Sequence, residues 1–73
     1  MATPLFATTL VRDEHVRSFQ VRRARPAGWE SSKYEGQRVV QQQRHSDWHR
    51  VEQTLTRFTR EIAELRDQGW REA

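Results

Sequence analysis

Cysteine is absent from this 73-residue sequence, and so are long apolar runs. The lack of cysteine excludes disulfide bonds, thiolate metal sites and cysteine nucleophiles, and it favours a reducing compartment, so a cytoplasmic location is expected. No apolar run approaches the roughly 18 to 20 residues that cross a bilayer. No basic stretch precedes the apolar residues near the N-terminus, so neither a membrane partner nor a secretory signal is expected.

Catalytic motifs are lacking too. The sequence has no glycine-rich phosphate loop, no Gly-x-Ser-x-Gly motif and no paired-carboxylate constellation. His45 and His49 stand four residues apart, a spacing that lets two imidazoles of one helix share a metal, but His45 precedes the predicted helix. The sequence therefore predicts a non-enzymatic protein without catalytic residues, a metal or a cofactor.

The composition that is present favours a small folded domain. Hydrophobic residues make up 34% of the sequence and charged residues 32%, but the apolar residues fall in periodic runs. Three tryptophans and three phenylalanines are among them. A chain of this length supports one core at most, so residues 1–73 are predicted to form a single small domain rather than a disordered segment.

A helix is the clearest prediction in the C-terminal half. Apolar residues recur there at steps of three and four, which places them on one helical stripe. The stripe comprises Trp48, Val51, Leu55, Phe58, Ile62 and Leu65. Ser46 or Asp47 is a suitable N-cap. Gly69 suits the left-handed position after the last turn, where Trp70 can fold back on the helix.

Upstream of the helix, apolar and polar residues alternate as they do in strands. Phe19 and Val21 alternate with polar residues, Pro26 and Gly28 predict a turn, and Glu35–Gly36 predicts a two-residue hairpin loop. The sequence therefore predicts an α+β fold, in which one long C-terminal amphipathic helix packs on one face of an antiparallel meander of three or four strands. The predicted layout is an extra strand or flexible tail over 1–12, the meander over 16–45, the helix over 47–68 and a cap and tail over 69–73.

With the N-terminal strand included, the order of four strands and then a helix resembles the single-stranded-DNA-binding coactivator architecture, in which paired helices form a dimer. The resemblance rests on element order. A helix stripe of about two and a half heptads is short for a coiled coil and long enough to cover three strands. A monomer is therefore predicted, with a weak homodimer as the alternative.

Positive charge is concentrated in the predicted sheet. The net charge is +3, and residues 12–45 carry eight Arg or Lys against four acids, whereas the helix carries four Arg against five acids over 46–68. On the helix, Arg57 with Glu61 and Arg60 with Glu64 have the i,i+4 spacing of a solvated face. The sheet face opposite the helix is expected to present polar and basic side chains, as single-strand binders do. Contact residues for nucleic acid or another partner are predicted to be Arg22, Arg23, Arg25, Lys33, Arg38 and Arg44.

Two functions follow from these patterns. The first is a protein–protein interaction or regulatory module that uses the open sheet face or the outer face of the helix, with Trp70 as an anchor for the partner. The alternative is binding of single-stranded DNA or RNA through the basic open sheet face, which needs an exposed ring for base stacking. Trp29 and Tyr34 lie at an odd separation in one strand and point to opposite faces, so only one of them suits that role.

Overall fold

A computed structural model describes residues 4–73. The elements are β1 (Phe6–Arg12), β2 (His15–Arg23), β3 (Trp29–Glu35), β4 (Arg38–His45), α1 (Trp48–Asp67) and β5 (Arg71–Glu72). The strands form one antiparallel sheet in the order β4-β3-β2-β1-β5. The predicted α+β fold is confirmed, and the N-terminal segment contributes a strand rather than a tail, although residues 1–3 of the predicted 1–12 lie outside the described residues. No helix in the described range is long and apolar enough to cross a membrane.

Both outer hairpins turn through two residues. Asp13 has a φ of 54°, a left-handed conformation that Asp tolerates better than most residues, and Arg12 pairs with His15 across the turn. In the second hairpin Glu35 stays in β3 and pairs with Arg38. The loop is therefore Gly36–Gln37, one residue later than predicted, because the glycine takes positive φ at the first loop position.

The core lies between α1 and the β1–β3 part of the sheet. Leu10, Phe19 and Val21 are buried on the sheet side. The ring of Phe58 packs edge-on against Phe19 at a centroid distance of 5.2 Å and also lies beside Phe6. The antiparallel pleat places every second strand residue on this face, so three strands are enough to form the floor of the core.

The buried stripe of α1 differs from the predicted one at three positions. Thr54 is 1% exposed and lies in the core, whereas Leu55 is only partly buried and Trp48 is 46% exposed. The 3-4 spacing defines a stripe but not its centre, and the helix is rotated toward Thr54. A buried hydroxyl is stable there because its Oγ1 lies 3.5 Å from His45 Nε2 and accepts from Arg57 at 3.2 Å.

Both ends of α1 have the predicted chemistry. The carboxylate of Asp47, rather than the Ser46 hydroxyl, caps the helix by accepting from the Arg50 N–H at 3.0 Å. At the C-terminus Gly69 has a φ of 97°, and the Trp70 N–H donates to the Leu65 carbonyl at 3.0 Å, as in a Schellman motif. The predicted tail beyond it forms β5, which pairs with β1.

Candidate functional site

The sheet face opposite α1 carries mostly polar side chains. Register places Arg22, Glu30 and Arg44 side by side across three strands, and Tyr34 lies on the same face. Tyr34 is half-buried, whereas Trp29 lies on the α1 side and packs against the core. The open face therefore offers one aromatic ring, and that ring is Tyr34.

One carboxylate separates two of the predicted contact arginines on this face. Arg22 Nη2 lies 2.8 Å from Glu30 Oε1. The hydrogen bond from Arg22 holds the pKa of Glu30 below its usual value, and the charge of Arg44 acts in the same direction. The guanidinium of Arg44 donates to the backbone carbonyl of Arg25 at 2.9 Å. These contacts fix the position of both arginines and leave the row with a net positive charge.

Lys33 does not lie on the open face. Its side chain points to the α1 side, where Nζ forms an ion pair with Glu61 at 2.9 Å and lies 5.8 Å from the ring centre of Phe19. Glu61 therefore pairs with the sheet rather than with Arg57, its predicted i,i+4 neighbour. Because the pair is only partly exposed and spans strand and helix, Lys33 has a structural role in this fold.

Arg38 lies at the far end of the sheet from Arg22. It begins β4, its side chain is largely exposed, and Nη2 is 3.8 Å from Glu35. It lines a cleft of about 460 Å³ together with Arg17 and Trp70. Acidic side chains of Glu14 and Glu35 line the same cleft, so its charge is mixed.

Trp70 is part of the core rather than a free anchor. Its side chain is 7% exposed, and the guanidinium of Arg17 lies 5.1 Å from its ring centre in a cation–π contact. The indole closes the C-terminal end of α1 before the chain enters β5. Because so little of the ring is exposed, Trp70 has almost no surface to insert into a partner, and its predicted anchoring role is not supported.

The remaining four predicted arginines lie at one end of the sheet, with Arg22 and Arg44 on the open face and Arg23 on the α1 side beside Trp29. Arg22 and Arg23 end β2, Arg25 lies in the β2–β3 loop, and Arg44 lies near the end of β4. The loop is closed by the Ala24 N–H, which donates to the Gly28 carbonyl at 3.0 Å. We call this group, Arg22, Arg23, Arg25 and Arg44, the arginine end.

Two tryptophans lie at the arginine end. Trp29 pairs in register with Arg23 and with His45. Its ring packs edge-on against Trp48 at a centroid distance of 5.5 Å. The two indoles are therefore in contact, but nearly half of Trp48 remains in solvent.

His45 joins the sheet to the helix beneath this end. It is 8% exposed, and Nε2 lies 2.9 Å from Ser31 Oγ and 3.5 Å from Thr54 Oγ1. His49, by contrast, is exposed and lies near Gln53. Within residues 4–73 no three His, Asp or Glu side chains are grouped as metal ligands. The two histidines thus have separate environments, and His45 serves as a polar contact within the core.

The outer edge of β4 is a feature that the sequence patterns did not reveal. The Gly36 N–H donates to the Val16 carbonyl at 2.8 Å, so the backbone groups of Val16 point to β3. Hydrogen-bonding direction alternates along antiparallel strands. The observed register therefore directs the backbone N–H and C=O groups of Gln43 toward β3. Gln42 and Arg44 consequently direct their backbone N–H and C=O groups away from the sheet.

No described residue pairs with that edge. β4 is eight residues long and exposed at every position except His45. At the opposite edge of the sheet β5 covers part of β1, and the Ala73 N–H donates to the Thr9 carbonyl at 3.0 Å. One edge is therefore partly covered by the chain itself, and residues 4–73 leave the other free along its whole length.

No protein-family model, curated protein or solved structure matches this chain.

Proposed function

We propose that the protein is a non-enzymatic interaction module that binds an extended segment of a partner protein along the outer edge of β4. The observation that carries this proposal is the unpaired eight-residue edge, which is exposed on both faces. Strand addition at such an edge takes its affinity from main-chain hydrogen bonds and its selectivity from alternate side chains.

The β4 edge lacks most of the features that prevent unwanted pairing. Natural edge strands are usually short, carry lysine or proline, or are covered by another element. The five residues from Val39 to Gln43 contain no charge and no proline. A bulge at Val40 interrupts the ladder with β3 near the start of the strand, which leaves Gln41–His45 as the regular segment for pairing.

A shallow groove beside β4 provides side-chain contacts on the α1 side. It is about 130 Å³ in volume, and it is lined by polar groups that include Gln41, Gln43, Arg57 and Glu61. Alternate side chains of an added strand point to this side. Amide and guanidinium groups there are suited to polar or acidic side chains, so the expected partner segment alternates such residues with outward-facing ones.

The test is selection of binding peptides from a random library displayed on phage, with wild type as bait and Gln42→Pro as the counter-selection. Proline at Gln42 removes an outward N–H that no described residue uses, so the fold is expected to survive while strand addition is lost. Gln42→Ser keeps the N–H and serves as the matched control. Selected peptides should bind wild type and Gln42→Ser and should protect the Gln42 and Arg44 amides from hydrogen exchange.

Three results contradict the proposal. The first is that no peptide is enriched over an unrelated bait. The second is that enriched peptides bind Gln42→Pro as tightly as wild type. The third is that they protect amides elsewhere and leave the β4 edge exchanging freely.

A further inference from the structure

We infer that the arginine end is a second binding site, separate from the β4 edge, which holds the phosphates and one base of a single-stranded nucleic acid. The site consists of the four arginines defined above and the exposed face of Trp48. The site spans the end of the sheet, because Arg22 and Arg44 lie on the open face whereas Arg23 and Trp48 lie on the α1 side. The open face alone is less suited to this role, because its one ring, Tyr34, is half-buried.

The net charge of the protein resides at this end. The four arginines have one acidic neighbour in the sheet, Glu30, which gives the end a net charge of +3. The rest of the chain has nine Arg or Lys against nine Asp or Glu and is neutral. A positive field confined to one end of a small protein steers a polyanion to that end.

Three of the four guanidinium groups form no ion pair with a described residue and can bind phosphates. Among the described residues, Arg23, Arg25 and Arg44 form no ion pair, and Arg22 remains about half exposed beside Glu30. Glu30 orients Arg22, and the Arg25 carbonyl orients Arg44. Only Arg22 has its charge partly neutralised by this contact. Arginine suits this task because its planar fork can form two hydrogen bonds to one phosphate.

Trp48 provides the stacking surface. The indole of Trp48 packs edge-on against Trp29, and 46% of Trp48 is exposed. A base can stack on such a ring only when it is unpaired, which is why a single strand rather than a duplex is the expected ligand. The arginines lie on strands and a loop rather than along an amphipathic helix, an arrangement less suited to an anionic membrane surface.

The experiment measures fluorescence anisotropy of a labelled 15-nucleotide single strand with the full chain at low and moderate salt. Binding should weaken with salt, with a logarithmic slope of about −0.7 for each phosphate contacted. The double variant Arg23→Gln/Arg25→Gln should reduce both affinity and slope. Trp48→Ala should bind about tenfold more weakly, because it loses a stacked base. Trp48→Phe should bind nearly as tightly as wild type, and the salt slope should be unchanged in both variants.

Matched controls separate a site from general charge attraction. Arg38→Gln/Arg60→Gln removes two exposed arginines elsewhere and should bind like wild type. Circular dichroism of each variant checks that the fold is retained. The Gln42→Pro variant should also bind the single strand normally. A failure of peptide binding at the β4 edge and a failure of nucleic-acid binding at the arginine end therefore give different results.

Three results overturn the inference. The first is no binding at low salt. The second is an equal loss of affinity in the Arg23/Arg25 and Arg38/Arg60 double variants, which indicates attraction by net charge alone. The third is tighter binding to vesicles containing phosphatidylserine than to the single strand, with the same dependence on Arg23, Arg25 and Trp48, which assigns the site to a membrane surface.

Discussion

At the residue scale, the arginine end depends on a glycine that touches the backbone of a neighbouring strand. Gly28 has a φ of +91°, and a Cβ added there would lie 2.6 Å from the carbonyl oxygen of His45. Because that oxygen belongs to the backbone, the clash can be relieved only by moving the loop or the end of β4. Gly28→Ala is expected to destabilise the protein by about 2 kcal/mol or more, as measured by urea denaturation.

Gly36→Ala is the matched control for Gly28→Ala. Gly36 also has positive φ, at +63°, but an added Cβ meets nothing within 4 Å. Its substitution should therefore cause only the backbone penalty of about 1 kcal/mol. Equal losses for the two variants would mean that the contact between the β2–β3 loop and His45 has no energetic role.

Glu30 is the residue from which a pH dependence is expected. Arg22 lowers the pKa of Glu30 by hydrogen bonding, so the folded pKa lies below the unfolded one. Stability from this pair is then fully present above the ordinary glutamate pKa of about 4.3 and is lost as pH falls through the lower folded value. The effect should be small because Arg22 is half exposed.

Urea denaturation of wild type and Glu30→Gln at neutral pH and near pH 3 measures this effect. The difference in unfolding free energy between the two proteins should shrink at the lower pH, since the wild-type carboxylate is then protonated. A difference that stays constant across this range would show that Glu30 contributes nothing through its charge.

At the element scale, α1 and the sheet stabilise each other through Phe58. The ring is buried against Phe19 and Phe6, and its removal leaves a cavity between helix and sheet. Phe58→Ala is expected to lower stability by about 3 to 5 kcal/mol, a large part of what a small domain possesses. Thermal melting followed by circular dichroism tests this, with Thr59→Ala on the exposed side of the helix as the control. An unchanged melting temperature for Phe58→Ala would disprove the packing described above.

The direction of the β4 backbone gives a second prediction at this scale. Gln43 turns its N–H toward β3, whereas Gln42 turns its N–H toward solvent. Gln43→Pro should therefore break a ladder hydrogen bond and destabilise the sheet strongly, while Gln42→Pro should have a small effect. Denaturation of the two variants side by side measures the difference. The reverse order would mean that the register of β4 is shifted by one residue.

At the scale of the whole molecule, the chain is expected to be a monomer at micromolar concentration. The apolar side of α1 is already covered by its own sheet, since Val51, Phe58 and Ile62 are buried within one chain. A dimer formed by paired helices, as the element order suggests, would need the apolar side of α1, which is already buried within one chain. Sedimentation equilibrium tests this, and any weak dimer should form through β4 and disappear in Gln42→Pro. A dimer that persists in that variant contradicts both expectations.

The sequence predicts features that depend on interactions between near neighbours in the chain better than features that depend on distant contacts. The helix is observed at Trp48–Asp67 against a prediction of 47–68, and its ends match because Asp47 and Gly69 act through hydrogen bonds within one turn. The sequence does not predict the short strand β5, since two residues are too few to show a period of alternation. It does not predict the rotation that buries Thr54 either, because that rotation depends on the sheet surface beneath the helix.

The candidate sites show the same limit. Composition and charge identified six basic residues, but the register of β2, β3 and β4 decides which of them meet. It directs Lys33 to Glu61 and leaves Arg38 at the far end of the sheet. No residue of β4 carries a signal that it will be an edge, because an edge is defined by the strand that is missing beside it.

The sequence by itself determined the element types, the capping of α1, the absence of cysteine chemistry and the excess of arginine in the sheet, since each depends on residue type or on spacing within a few positions. Only the tertiary structure decided that β4 is free, that Trp70 is buried and that Arg22, Arg23, Arg25 and Arg44 share one end with Trp48. Those facts depend on strand order and register, which bring together residues that lie far apart in the chain.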